Sequence, residues 1–276
     1  MAVDTPAPTA IADGDDALRL TQPLPGVLQL TLDRPARLNA LSRPVVDAIN
    51  RRLDALRDDA SVRVLLLTGT GRAFCAGWDL SSGDGSPPQV TSAYDGQLAF
   101  AGMVQRLRAL PQTVIAAVNG LAVGAGMGLV LASDLRLAVP AAAFHIGAVR
   151  IGLTAGECGI SYHLPRLVGA GRAAELMLTG RPLPAEEALQ WGLLSALHPA
   201  EALLPRALEL AALVLRNSPY ATQHTKRVFW ANLDAPSLEA ALELENHAQI
   251  LALMTDDFHE AQRAFAAKRA PVFTGR

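Results

Sequence analysis

Only two cysteines occur in 276 residues, Cys75 and Cys158, too few for a disulfide framework and in keeping with a reducing cytoplasm. Buried, inert thiols are the plain reading of such a pair. A thiol nucleophile is the alternative, but neither cysteine has an adjacent histidine in the chain to generate thiolate. Net charge is nearly absent as well, at −2, and the lysines and arginines form no stripe, which argues against electrostatically driven nucleic-acid binding while leaving room for a local phosphate site. No apolar run approaches the roughly 20 residues needed to span a bilayer, because Asn119 and several glycines interrupt the longest candidate. Metal-ligand spacings and a glycine-rich dinucleotide fingerprint are both missing, and residues 1–14, made of Ala, Pro, Thr and Asp without a secretory pattern, read as a loose disordered tail.

What is present is apolar: half of the chain is hydrophobic and only 18% is charged, ample for one large core or a core with an appendage. Apolar β-like runs at Val27–Leu32, Val64–Thr68, Val114–Val118 and Leu135–Ala138 alternate with helical stretches. That order predicts an α/β core. Ser42 stands where it can cap a helix whose stripe is Val45, Ile49, Leu53 and Leu56. The Gly-, Ser- and Pro-rich stretch Ser81–Ser92 predicts a mobile surface loop, and Tyr94–Leu110 a helix after it. Beyond Gly171 the pattern is helical, at Arg172–Thr179, Ala185–Trp191, Glu201–Arg216, Ala221–Ala231, Ser237–Leu253 and Asp257–Ala267, with prolines between most of them. Boundaries follow: a core over 15–200 and a helical region over 201–276.

Two glycine-rich turns carry the chemistry. Arg72-Ala-Phe-Cys-Ala-Gly-Trp-Asp-Leu80 follows the Val64 run, and Asn119-Gly-Leu-Ala-Val-Gly-Ala-Gly-Met-Gly128 follows the Val114 run. Each sets small residues where a strand hands over to a loop or helix, leaving backbone N–H groups free. A carbonyl oxygen that gains negative charge can lie between two such donors, and a helix opening near Ala125 adds its partial positive end.

On these residues the chain resembles the crotonase, or enoyl-CoA hydratase/isomerase, superfamily. The likeness also covers Asp33-Arg-Pro-Ala-Arg-Leu-Asn-Ala-Leu41, Leu164-Pro-Arg-Leu-Val-Gly169, Leu178-Thr-Gly-Arg181, Ala188-Leu-Gln-Trp-Gly-Leu193 and Asp256-Asp-Phe-His-Glu260 with Ala264-Phe265 and Lys268-Arg269. It implies a spiral core of repeated ββα turns with a C-terminal helical trimerisation region, assembled as a homotrimer or dimer of trimers. It implies a fatty acyl-CoA thioester as ligand, with coenzyme A part of the substrate and no separate cofactor. The implied oxyanion-hole donors are the N–H groups of Trp78 and Ala125; Arg37, Leu38, Ala76, Asp79 and Leu80, together with Phe265 and Lys268 from the C-terminal helices, are the implied coenzyme A contacts, Asp79 also bracing its loop.

The departures from the family pattern are as informative. Family hydratases carry two glutamates; at those positions this chain has Gly128 and Ala148, neither able to transfer a proton. One carboxylate, Glu157 in Gly152-Leu-Thr-Ala-Gly-Glu-Cys-Gly159, falls where dienoyl-CoA isomerases and 4-chlorobenzoyl-CoA dehalogenases of the superfamily have a catalytic aspartate. An apolar setting would raise its pKa toward neutrality; a carboxylate capping the next turn is the alternative. The dehalogenase reading lacks its histidine, since none lies in Tyr94–Leu110. His145 and Arg150 flank Ala148 and read as strand-edge residues, Tyr162 and His163 as packing residues on an incipient helix. Hydration or double-bond migration of an enoyl-CoA is the expected reaction, against two rivals: an acyl-CoA carrier without catalysis, and a CoA-thioester hydrolase.

Overall fold

The computed structural model describes residues 9–11, 17–82 and 89–276. In chain order the N-terminal half consists of β1 (Thr9–Ile11), β2 (Leu18–Leu24), β3 (Val27–Leu32), α1 (Arg43–Arg57), β4 (Val64–Gly69), β5 (Ala73–Cys75), α2 (Val90–Ala109), β6 (Thr113–Val118), β7 (Leu121–Val123), α3 (Ala125–Ala132), β8 (Leu135–Ala138) and β9 (Ala143–His145). Helices dominate the rest: α4 (Ile160–Val168), α5 (Ala170–Thr179), β10 (Leu183–Pro184), α6 (Ala185–Gln190), β11 (Ala196–Leu197), α7 (Ala200–Leu215), α8 (Pro219–Asn232), α9 (Leu238–Leu253) and α10 (Asp256–Ala266).

The larger sheet runs β1-β2-β3-β4-β6-β8-β11 and the smaller one β10-β9-β7-β5. Reading along the chain, β4-β5-α2, β6-β7-α3 and β8-β9-α4 each send one strand to each sheet and then a helix, so the path climbs as a spiral. Parallel register from Val27 to Val64, Val64 to Thr113 and Ile115 to Leu135 stacks the turns directly. Parallel strands covered on both faces need unbroken apolar sequence, and β4 and β6 supply it with five buried residues each.

Helix α3 is buried along all eight residues, apolar on every side as a helix through the middle of a core must be. Its N-terminus therefore points the second turn at one fixed place. On the outer face α1 buries Val45, Val46, Ile49, Leu53 and Leu56. Ser42 occupies the N-cap of α1 as the spacing predicts, but its side chain makes no capping bond. Helix α7, which opens the 201–276 region, lies against β4, β6 and β8 through Leu203, Ala207 and Ala211. Its C-terminal carbonyls are held by Arg63, whose guanidinium donates to Leu215 O at 2.8 Å and Asn217 O at 2.7 Å.

The structure shifts some of the sequence reading. Residues 9–11, placed in the tail, form an antiparallel strand with β2, while residues 1–8 and 12–16 lie outside the described residues. Helix α2 begins at Val90, so the end of the expected loop is helical; residues 83–88 of that loop also lie outside the described residues. The incipient helix read around Tyr162 and His163 is α4, which runs on through Pro165 in its interior. Pro165 lies in its sixth position, beyond the first turn in which proline is tolerated freely, which hides its continuation from proline-based punctuation. No helix among the described residues is long and apolar enough to cross a membrane.

Candidate functional site

The first turn is held by a short parallel ladder with the segment before α1. Ala76 N–H donates to Leu38 O at 2.9 Å, Leu41 N–H to Gly77 O at 2.7 Å, and Asp79 N–H to Leu41 O at 3.0 Å. Leu41 thus bonds on both sides of Trp78, its bridge partner, and in that geometry the N–H of Trp78 points away from the ladder. No acceptor among the described residues takes it.

A second set of contacts locks the ladder to its base. Arg34 donates to Ala40 O at 2.6 Å and pairs with Asp79 at 3.1 Å, while Ser81 Oγ donates to the other Asp79 oxygen at 2.6 Å. The Ser81 bond, with Arg34 behind it, holds the Asp79 carboxyl below the usual range, so it stays ionised. Asn39, buried and at φ 57°, donates to Thr70 O and Ala73 O. Arg34 and Asn39 are not singled out by the sequence pattern, because Asp33 and Arg37 in the same segment are polar too and only the fold shows which of them turn inward.

The second turn arrives from β7, the parallel neighbour of β5 in the smaller sheet. Gly124, at φ 49° and ψ −118°, ends β7 and caps α3, with its N–H bonded to His145 O at 3.0 Å. The first helical N–H with an intrahelical acceptor is that of Gly128, bonded to Gly124 O at 2.9 Å. The Ala125 N–H is left as a free donor at the positive end of a buried helix.

Gly77 joins the two turns. A β-carbon built there would stand 2.7 Å from Val123 O and 3.7 Å from Ala125 N, and the residue sits at φ 80°, where L side chains are strained. Only glycine brings the backbone beside Trp78 so close to Ala125. Gly126 is equally constrained, its β-carbon meeting Cys75 O at 2.5 Å.

Glu157 reaches this junction. A methyl in place of a Gly124 hydrogen would meet Glu157 Oε1 at 3.0 Å, which sets the carboxylate over the residue preceding Ala125. The side chain is half-buried and hydrogen-bonds to no described residue, and burial pushes its pKa up. Its main-chain carbonyl takes the Ile160 N–H at 2.8 Å, so it is the backbone of Glu157, and not the carboxylate, that supports the start of α4.

The two positions at which the family resemblance leads one to expect glutamates leave little room for them. At Gly128 a β-carbon would lie 2.6 Å from Cys158 O and 3.0 Å from Cys158 Cβ, so the loop carrying Glu157 fills the space a side chain would need. Ala148 is buried in a 3₁₀ turn over 147–151. His145 is kept neutral by burial and by Arg150, and the Arg150 side chain lies beside Gly180. Burial pushes both the Cys75 and Cys158 thiols up to about 12, which leaves them protonated and poor nucleophiles.

Of the expected coenzyme A contacts, Leu38, Ala76, Asp79 and Leu80 come together around the first turn, and Arg37 joins them by donating to Ser81 Oγ at 3.2 Å. Trp78 and Leu80 are exposed beside them, at 53% and 62%. Phe265 and Lys268 stand apart on the exposed end of α10, whose main neighbour is α9. A cavity of about 770 Å³ lies between α8, α9, α10 and the sheet edge rather than at the turns.

A ββα spiral whose smaller sheet delivers two glycine-rich turns, from the neighbouring strands β5 and β7, to one junction is an architecture suited to holding an acyl thioester, and the comparisons name the family. The Enoyl-CoA hydratase/isomerase family model matches residues 24–276, and this chain belongs to that family. It is 43% identical to the "Probable enoyl-CoA hydratase EchA12" of Mycobacterium tuberculosis strain H37Rv over 91% of this chain and 90% of that one. It is 36% identical to the 1,2-epoxyphenylacetyl-CoA isomerase of Escherichia coli K12, over 91% and 96% of the two chains. Among solved structures, that of a probable enoyl-CoA hydratase/isomerase from Mycobacterium abscessus superimposes with a TM-score of 0.87 at 37% identity, over 94% of this chain and 99% of that one.

Proposed function

We propose that this protein is an enzyme that migrates the double bond of a fatty enoyl-CoA, using the Trp78 and Ala125 N–H groups as an oxyanion hole and Glu157 as its one proton carrier. The reading rests above all on the Glu157 carboxylate over Gly124, beside a free helix N-terminus, with position 128 closed by the Cys158 carbonyl. Glu157 removes a proton from the carbon next to the thioester of a 3-enoyl-CoA. The electron pair of the broken C–H bond forms a double bond to the thioester carbon and displaces the carbonyl pair onto its oxygen, where the two N–H groups hold the charge of the dienolate. On return the pair shifts back, and the double bond moves from C3–C4 to C2–C3 as C4 takes the proton. The same carboxylic acid returns the proton to the far carbon and gives the 2-enoyl-CoA. Hydration needs a second group to hold and deprotonate water, and Gly128 and Ala148 offer none. Migration is therefore favoured over hydration within the same substrate class.

The coenzyme A portion follows Arg37, Leu38, Ala76 and Leu80, with Asp79 as the brace of that path, and no further cofactor is required. Exposed Leu238, Leu242, Ile250 and Leu251 on α9 and Phe265 at 88% exposure support a homotrimer or dimer of trimers. In that assembly Phe265 and Lys268 of one subunit meet the nucleotide bound to a neighbour. Two protonated, buried thiols suit a cytoplasmic setting.

A panel of 2- and 3-enoyl-CoA esters, followed by the absorbance of the conjugated thioester with binding measured separately, tests the reading. Glu157→Gln is expected to keep affinity and to lose about 10²–10⁴-fold in turnover. Turnover of a confirmed substrate at the wild-type rate would remove Glu157 from the mechanism. Binding without turnover by the wild type would make the protein a carrier, and release of free thiol a hydrolase.

A further inference from the structure

Well away from the turns, at the opposite end of α3, a cavity of about 400 Å³ lies between the ends of α2, α3, α4 and α8. Arg108, Arg136, Arg166 and His163 line it together with Tyr162 and Trp230. Arg166 and Tyr162 stand at the exposed mouth, paired with Asp234; Arg166 Nη2 lies 2.8 Å from that carboxylate. Arg136 and His163 form the floor, at 8% and 7% exposure.

The charges here do not balance. Four cations, Arg108, Arg136, Arg166 and Lys226, face two carboxylates, Asp134 and Asp234. Asp134 is already engaged by Lys226 at 2.8 Å, by Trp230 Nε1 at 2.7 Å and by Val114 N–H at 2.8 Å, so Arg108 approaches it no nearer than 3.8 Å. Arg136 bonds only carbonyls, Leu193 O at 2.7 Å and Ser133 O at 2.6 Å. The buried Arg136 is thus left without a carboxylate of its own, and the half-buried Arg108, stacked over the Trp230 ring, keeps only a distant share of Asp134. Burying an unpaired cation is costly, and the cost falls if an anion joins it.

Free donors face the same space. Neither ring nitrogen of His163 has a hydrogen-bond partner among the described residues, although the residue is more than nine-tenths buried. Arg136 Nη2 is likewise unengaged. The excess positive charge is felt at His163, whose pKa is pushed down to about 4 by burial first and then by Arg108, Arg166 and Arg136. Leu131, Leu167 and Phe229 cover the remaining wall.

We propose that this cavity is a binding site for a small oxyanion, a phosphate or carboxylate head group, held by Arg108 and Arg136 on its floor and bordered by Tyr162 and Trp230. A guanidinium presents paired donors that match either head group, and the volume suits the head group with a short apolar or aromatic body. The site is independent of the acyl-CoA reading. Inorganic phosphate and benzoate stand for the two sources of the anion.

The test measures binding of each probe to the full-length protein by titration calorimetry, at constant ionic strength and with saturating free coenzyme A to occupy any nucleotide site. Saturable binding of either probe is expected, with a melting-temperature rise of roughly 3 °C at ten times the dissociation constant. Phosphate alone would assign a phosphate head group, and benzoate alone a carboxylate with an apolar body. Arg108→Gln should weaken binding at least tenfold, whereas Ala125→Val should leave it unchanged. Should Arg108→Gln fail to fold, the ring resonances of His163 in the wild type serve instead and should shift on saturation. The proposal is overturned if sodium chloride of equal ionic strength gives the same response, if coenzyme A abolishes it, if Arg108→Gln binds as well as wild type, or if the His163 resonances stay in place.

Discussion

The two halves of the candidate site are built on different principles. Around Trp78 and Ala125 the groups proposed to act are main-chain donors, and their position is fixed by a ladder, an Arg34–Asp79 pair and glycines that nothing else can replace. Around Gly128, Ala148 and Glu157 the proposed proton-moving group is a side chain, the Glu157 carboxylate, with no side chain able to carry a proton at 128 or 148. A backbone donor persists when its side chain changes, whereas a proton carrier disappears with one substitution. The difference teaches that main-chain donors are set by the fold itself, whereas a side-chain proton carrier is set by the identity of one residue. In this chain positions 128 and 157 are coupled: the carbonyl of Cys158 occupies the space beyond Gly128, and the residue before Cys158 is Glu157.

The sharpest way to break the comparison is to disturb the main-chain half. Gly77→Ala places a β-carbon 2.7 Å from Val123 O in a backbone at φ 80°. Left-handed strain and the clash together should lower stability by about 2–4 kcal/mol and move the two donors apart. Chemical denaturation and turnover measured on the same preparation should both fall; a variant as stable and active as wild type would show that the junction does not need glycine.

Ala125→Val comes next. Its extra methyl groups stand beside the free donor without removing it, in a residue that is 3% exposed. Turnover should drop by about 10²-fold or somewhat less, near the lower end of the loss seen when an oxyanion donor is deleted, with the fold retained. A folded Ala125→Val protein of undiminished affinity and rate would refute the hole.

Gly128→Glu probes the other half. If the hydratase pair were merely missing, restoring its first member would move the enzyme toward water addition. The Cys158 carbonyl 2.6 Å from the new β-carbon predicts instead a loss of about 1–3 kcal/mol and no gain in hydration. Appearance of 3-hydroxyacyl-CoA from a 2-enoyl-CoA would show that the loop yields.

Much of the fold was legible because it rests on unbroken chemistry. Two-sided burial made β4 and β6 continuous apolar runs, and prolines bracket the helices after residue 180. The strands of the second sheet were not: β5, β7 and β9 are three residues each, too short for alternation to declare itself. In the site, the two turns could be read from their small residues, but their meeting depends on Gly77 lying against Val123 and Ala125, a contact between distant segments with no local signature. The closure of position 128 is of the same kind. It shows as a missing glutamate in the sequence and becomes a filled space only when the Cys158 carbonyl is seen beside it.

The smallest effect separates the two meanings of Glu157. Burial raises its pKa in the folded protein above the unfolded value, so the folded state binds the proton more readily than the unfolded chain. The stability this gives is fully present below the unfolded carboxylate pKa and is lost as pH rises through the folded one. At neutral pH the ionised, unpartnered carboxylate is therefore a burden on the fold, and Glu157→Gln should be slightly more stable than wild type at pH 7.5, with the advantage vanishing by pH 4. The turnover limb has the matching sign: a base must be ionised, so the rate should rise with pH through an apparent pKa above that of an ordinary glutamate. A carboxylate serving only to cap a turn would act in the opposite sense, with Gln lowering stability at pH 7.5 and leaving the acid limb where it was. Denaturation midpoints of the two proteins at both pH values, compared with the pH profile of wild-type turnover, separate a group kept for chemistry from one kept for structure.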